Sequence, residues 1–175
     1  TNDRKLEEFK KENKFEDSKE ALRLVADAGM IVESSLIIGT PNETPESIKE
    51  TLEVAYDYNA DFMHFLLLAP WPYADMYESL EPYIEVWDYS KYNLVEPIIK
   101  PKAMTRDELM RAVLNCYKKY YMRKLPEWAN MKGNDLKRSC MIKGMKAIME
   151  NSFLKDHMTG LGGMPKSVLK LIDKL

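Results

Sequence analysis

The stretch SLIIGTPNETPESIKETLEVA, residues 35–55, decides the fold. It opens with an apolar, β-branched run, the composition of a strand. Gly39 and Pro41 then mark a tight turn, because glycine accepts backbone conformations closed to other residues and proline fixes its own φ. Thr44 follows as an N-cap and Pro45 as the first helical residue, where its missing N–H costs nothing. Glu46 and Glu50 complement the positive end of the helix dipole. Ile48, Leu52 and Ala55 recur at helical spacing and supply a buried stripe. A strand therefore runs through a short turn straight into a helix.

The neighbouring sequence repeats the alternation. Residues 16–28 read as a helix with Ala21, Leu22, Val25 and Ala28 on one face, closed by Gly29 at the usual C-terminal glycine position. The strand before the turn covers residues 30–38, and its last residues are apolar on both faces, which implies burial on both sides. Asn59 ends the next helix, and residues 62–68 form a second apolar strand. Helix, strand, helix and strand joined by short connections define an α/β unit with parallel strands and a right-handed crossover. A short charged helix is expected over residues 3–12.

The pattern changes after the Pro70-Trp71-Pro72 run. Residues 73–103 are rich in aromatics and prolines, with a short helix at 75–80 and otherwise an ordered loop. Residues 104–175 are mostly helical. Thr105 caps a helix over 106–124, a second covers 135–151, TGLGGMP at 159–165 is a break, and a last short helix covers 167–175. The organisation is thus an α/β part at 1–72, an aromatic-rich loop at 73–103 and a helical extension at 104–175.

With 175 residues, 45% hydrophobic and 31% charged, the chain can bury a core without staples. Its longest apolar run, residues 62–71, is interrupted by His64 and is too short to span a membrane. Cys116 and Cys140 stand 24 residues apart inside helical patterns, which is neither a disulfide framework nor a metal-ligand spacing. They read as half-buried structural thiols in a reducing, cytoplasmic setting. Residues 1–100 carry 10 Lys and Arg against 21 Asp and Glu, whereas residues 101–175 carry 16 against 7. Two oppositely charged parts can dock on each other, or the basic tail can meet an anionic ligand or partner. Its cations are spread along helices, so nucleic acid is not expected.

The pattern AL-LVADAGM-V---LIIGTPNET-E-I-ETL--A, residues 21–55, and ADFMHFLLLAPWPYADMY, residues 60–77, resemble the fourth helix through the sixth strand of the partial (β/α)6 barrel of radical S-adenosylmethionine (SAM) enzymes. Asn42 stands where that family often has a second glycine, and Ser35 where some members have one. Residues 15–125 resemble most the cobalamin-dependent branch, within it the anaerobic magnesium-protoporphyrin monomethyl ester oxidative cyclases. NETPESIKET (42–51), PWPYADMY (70–77), DYSKYNLVEPIIKPKAMTRDEL (88–109) and YKKYYMRK (117–124) carry that likeness.

The resemblance implies a longer protein: a cobalamin-binding domain, then a radical SAM barrel whose first loop holds a [4Fe–4S] cluster through a CxxxCxxC motif, then the helical extension. This chain has no such loop. It is expected to be a C-terminal fragment, inactive alone, partnered by the missing N-terminal part of the same polypeptide. Gly39, Thr40, Pro41 and Glu43, with Leu68, Ala69 and Pro70, are the expected SAM-side contacts, and no metal ligand is expected here. Trp71, Tyr73 and Arg106 are the expected substrate contacts, flat rings for a tetrapyrrole and a guanidinium for its carboxylates. Lys91, Lys100, Lys102 and Arg123 join Arg106 as candidate cations. The aromatics at 71–92 equally suit a satellite hydrophobic cluster beneath a loop. His64 reads either as a satisfied core residue or as an interior histidine facing a ligand, and His157 as a surface residue. The methionines at 104, 110, 122, 131, 141, 145 and 149 read as core filling. Two other functions stay open: a cobalamin-dependent radical SAM methyltransferase, and a non-catalytic α/β scaffold whose basic tail docks a partner.

Overall fold

The structure, a computed structural model, describes residues 6–7 and 11–151. Of the expected helix at 3–12 only part falls among them. The break at 159–165, the helix at 167–175, His157 and the side chain of Met149 lie outside them.

Helix α1 (Phe15–Asp27) ends at Gly29, whose φ of +76° is the left-handed conformation expected there. Strand β1 (Glu33–Ile38) follows, then α2 (Pro45–Tyr58) and β2 (Phe62–Leu67). Thr44 accepts the Ser47 N–H at the start of α2, while Ser47 Oγ receives the Thr44 N–H, a reciprocal cap. Ile48, Leu52 and Ala55 are buried as their spacing implies, with Thr51 beside them, and Asn59 closes the helix at φ 49°. β1 and β2 pair in parallel with Glu33 opposite Phe62 and Ile38 opposite Leu67.

Two strand expectations need correction. The strand begins at Glu33, because the chain at Met30 is still bonded back to Val25 O in turning out of α1; the first bond to β2 is from the Phe62 N–H to Val32 O. β1 is also not buried on both faces. Leu36 and Ile38 are buried, but Ile37 is 42% exposed and shares an open face with Glu33 and Ser35. Among the described residues no element covers that face as fully as the helices cover the other.

A short helix α3 (Tyr77–Leu80) and single 3-10 turns at Glu81–Tyr83 and Tyr89–Lys91 order the aromatic-rich segment. Helix α4 (Arg106–Ala129) is capped by Thr105 as expected but runs past residue 124, with Pro126 in its last turns. Leu125 and Trp128 are buried there, and their packing carries the helix through a residue that removes a hydrogen bond. Helix α5 (Asp135–Asn151) has the bounds its sequence implies. Its docking rests on a buried ion pair, Lys137 Nζ to Asp61 Oδ2 at 2.7 Å, with Lys137 also donating to Met30 O and Asp61 accepting the Val32 N–H. This pair joins the acidic and basic parts of the chain. Met141 and Met145 are in the core and Met104 is buried, in keeping with a filling role.

The two edges of the sheet differ. The β2 backbone groups that point away from β1 are met by α4 and the loop. The Tyr121 hydroxyl accepts the Met63 N–H at 3.1 Å and donates to Met63 O at 3.0 Å. Tyr117 does the same at Phe65, at 3.0 and 3.2 Å. The Leu67 N–H donates to Leu94 O at 2.8 Å, with Leu94 in the left-handed region at φ 64°. Tyrosines one helical turn apart rise about 6 Å, and alternate strand residues are about 6.6 Å apart, so the two ladders match. β1 has no such cover on its outer edge among the described residues; a cleft of about 490 Å³ lies there between β1 and α1.

Replacing Tyr121 with Phe is expected to lower stability by about 1–3 kcal/mol, because it strands a buried N–H and C=O. Tyr117→Phe, nearer solvent, is expected to cost less; urea unfolding of both variants checks the order. Burial raises the pKa of Tyr117, Tyr120 and Tyr121 above the usual range. A phenol whose folded pKa is raised contributes stability that is complete below its unfolded value of about 10 and is lost as pH climbs toward the folded value. Alkaline unfolding should therefore set in above about pH 10, and a melting series from pH 8 to 11 measures it.

Candidate functional site

The carboxyl ends of β1 and β2 lie side by side: Ile38 is opposite Leu67, and the Leu68 N–H donates to Ile38 O. This is where a parallel α/β sheet places ligand contacts. Gly39 turns the chain at φ +97°. Its N–H donates to Glu43 Oε2 at 3.0 Å, and the other oxygen of that carboxylate accepts from the Ser47 hydroxyl. Glu43 is 1% exposed, so its charge is turned into the loop and holds the turn against the start of α2. A side chain at Gly39 would meet Leu109 of α4 and Leu67 of β2, so the glycine admits the protein's own packing at that point.

Thr40 and Pro41 are half-buried. Pro41 O accepts the Lys102 N–H at 2.9 Å, and Lys102 Nζ donates to Asn42 Oδ1 at 3.0 Å, stitching the aromatic-rich segment over the β1–α2 loop. Leu68, Ala69 and Pro70 are buried. Leu68 packs with Leu80 and Ile99; Ala69 packs with Ile84, Tyr92 and Ile98. Of the seven residues expected on a cofactor side, the structure gathers all at one end of the strand pair, most of them roofed by residues 73–104.

The expected substrate residues do not form one group. Trp71 and Tyr73 stack nearly parallel, centroids 6.1 Å apart and planes 17° apart, with Tyr73 84% exposed. Trp71 also touches Tyr92, whose hydroxyl donates to Val86 O. The satellite cluster beneath the loop therefore exists, and its outer rim is open. Arg106 stands apart at the start of α4, bound to Glu85 Oε2 at 3.1 Å and to Pro97 O at 3.2 Å. Lys100 shares Glu85, and Arg123 pairs with Glu127 and lies over the Tyr56 ring.

His64 is neither in the core nor alone. It sits on the open face of the sheet with Nε2 2.6 Å from Glu33 Oε1. The cysteines are not alike: Cys116 is buried, which pushes its thiol up to about 12, and Cys140 is exposed. Among the described residues no group of three or more His, Cys, Asp or Glu could hold a metal. A cluster does not fit the donors present. No described helix is long and apolar enough to cross a membrane.

Sequence reasoning missed the edge-capping tyrosines, the Asp61–Lys137 pair and the Glu33–His64 pair. The i, i+4 spacing of Tyr117 and Tyr121 was a usable signal for the first. Both pairs join residues far apart in sequence or across two strands and leave no local trace.

Fold and site together define an α/β unit, two parallel strands with their tips roofed by the aromatic-rich segment and their edge closed by a helical extension. Its relatives narrow the class. The chain is 38% identical over 146 residues to the anaerobic magnesium-protoporphyrin IX monomethyl ester cyclase of Cereibacter sphaeroides, covering 83% of this chain and 24% of that protein. It is 35% identical over 149 residues to the protein of the same name in Rubrivivax gelatinosus, covering 85% of this chain and 27% of that one. The chain spans about a quarter of the length of these cyclases and matches their C-terminal part. It is also 25% identical over 106 residues to an uncharacterized methyltransferase of Pyrococcus horikoshii, 59% of this chain and 23% of that protein. No protein-family model and no solved structure matches.

Gly39→Ala is expected to destabilise by about 1–3 kcal/mol, through a conformation only glycine adopts easily and the clash with Leu109; a thermal melt checks it. Cys140 should react with a maleimide at pH 8 in the native protein while Cys116 reacts only on unfolding, which mass spectrometry of the labelled peptides resolves.

Proposed function

We propose that the chain is the C-terminal part of a cobalamin-binding radical SAM iron–sulfur oxidoreductase acting on a tetrapyrrole, with β1 and β2 as the last strands of its partial (β/α)6 barrel. The observation that carries this reading is the likeness to two proteins named as cyclases, which runs across both the strand pair and the helical extension. The parallel strands and adjacent tips support it as well. The cluster and cobalamin would be held by the rest of the polypeptide, as the likeness to the cyclases implies. SAM would meet backbone and apolar groups around Gly39, Thr40, Pro41, Leu68, Ala69 and Pro70, while Glu43 acts only by holding that loop.

Trp71 and Tyr73 offer a flat, open surface beside this end of the sheet, suited to a flat macrocycle. Arg106 is already matched by Glu85, so it acts on a carboxylate of the substrate only as part of the Glu85–Lys100–Arg106 group. A second reading, a cobalamin-dependent methyltransferase, is favoured by the Pyrococcus horikoshii relative.

The test is anaerobic reconstitution of the full-length polypeptide with cluster, SAM, cobalamin and magnesium-protoporphyrin monomethyl ester. The expected result is 5′-deoxyadenosine together with a ring-closed product. A product heavier by one methyl group would favour the second reading, and absence of 5′-deoxyadenosine would overturn both. The variant Tyr73→Ala, at the exposed rim, should raise KM for the porphyrin by about tenfold, the loss of roughly one aromatic contact, with its melting temperature unchanged.

A further inference from the structure

The open face of the strand pair carries a polar pair in an otherwise apolar or small-residue setting. In register, Ser35 faces His64, and Ile37 faces Leu66 one pleat nearer the carboxyl tips. Glu33 reaches diagonally to His64, with Oε1 2.6 Å from Nε2. A carboxylate at that distance can accept a hydrogen bond from an Nε2–H and so orient the ring. In the neutral imidazole the other nitrogen, Nδ1, then carries a lone pair and can only accept. The side chain is 31% exposed, so the ring is held yet reachable.

We infer that His64, oriented by Glu33, recognises the metal of a metallotetrapyrrole by accepting a hydrogen bond from the water on its axial position. The inference rests on the tetrapyrrole reading proposed above. Magnesium is a hard cation that keeps water in its coordination shell. A tetrapyrrole supplies the four equatorial nitrogens itself, so one protein acceptor is enough. A histidine held by a carboxylate is the common way to raise the basicity of such an acceptor. Ser35 opposite leaves room beside the ring, and Ile37 and Leu66 present apolar surface where the macrocycle would lie. Glu33 is a positioning residue here, and His64 is the binding residue.

The test titrates the full-length protein, by quenching of its tryptophan fluorescence, with magnesium-protoporphyrin monomethyl ester and with the metal-free ester. The wild type is expected to bind the magnesium form more tightly. His64→Leu should lose about tenfold in affinity for the magnesium form and leave the metal-free affinity unchanged, which also reports an intact fold. Glu33→Gln should lose less in the same direction, and His64→Gln, which keeps an acceptor, should recover part of the preference. If the wild type binds both porphyrins equally, or if His64→Leu keeps the preference, the inference falls and the tetrapyrrole reading stands. If neither porphyrin binds the wild type, both fall.

Discussion

Everything in this structure depends on satisfying the outer backbone edge of β2. A two-stranded parallel sheet is marginal alone, and a buried N–H or C=O without a partner is costly. Here the partners are the hydroxyl groups of Tyr117 and Tyr121, each both accepting from and donating to one strand residue, with Leu94 O completing the row at Leu67. Tyr120 adds a bond to Ala60 O just before the strand. The helical extension thus stands in for a third strand. Its position along β2 is fixed by hydrogen bonds and by packing of Phe65 against Tyr117 and Tyr120.

The same helix governs the strand tips. Leu109 near the start of α4 fills the space at Gly39, while Lys102 just before it binds Pro41 and Asn42. At the opposite end, Lys124 donates to both oxygens of Asn59, and Lys137 of α5 reaches Asp61 and Met30. The extension therefore clamps both ends of the unit while leaving the face of Glu33, Ser35, Ile37, His64 and Leu66 open.

The elements of the fold could be read from local chemistry. The Thr44-Pro45 start, the Ile48, Leu52 and Ala55 stripe, the glycine and asparagine stops, and the bounds of α5 all follow from rules that act within a few residues. The reading went wrong where tertiary packing overrides them. Ile37 looked buried because it is apolar, yet among the described residues no helix packs over it and it is left largely exposed. The helix from Arg106 was expected to end at Lys124, yet it runs on through Pro126 because Trp128 is buried beyond it. In the candidate site, the closeness of the two strand tips was legible from alternation alone. The inward turn of the Glu43 carboxylate and the engagement of Arg106 with Glu85 were not. Both depend on the aromatic-rich segment folding back over the loop, and aperiodic sequence does not encode that path in any simple pattern.

The hydroxyl groups that complete β2 lie 52 and 58 residues downstream of their partners. During synthesis the strand leaves the ribosome well before α4 exists, with a row of bare amides and carbonyls beside an apolar surface. Non-local closure of this kind is slow and leaves intermediates prone to association. Truncation anywhere before Tyr117 would make that transient state permanent, so the chain's solubility is decided by a helix that contributes no strand to the sheet.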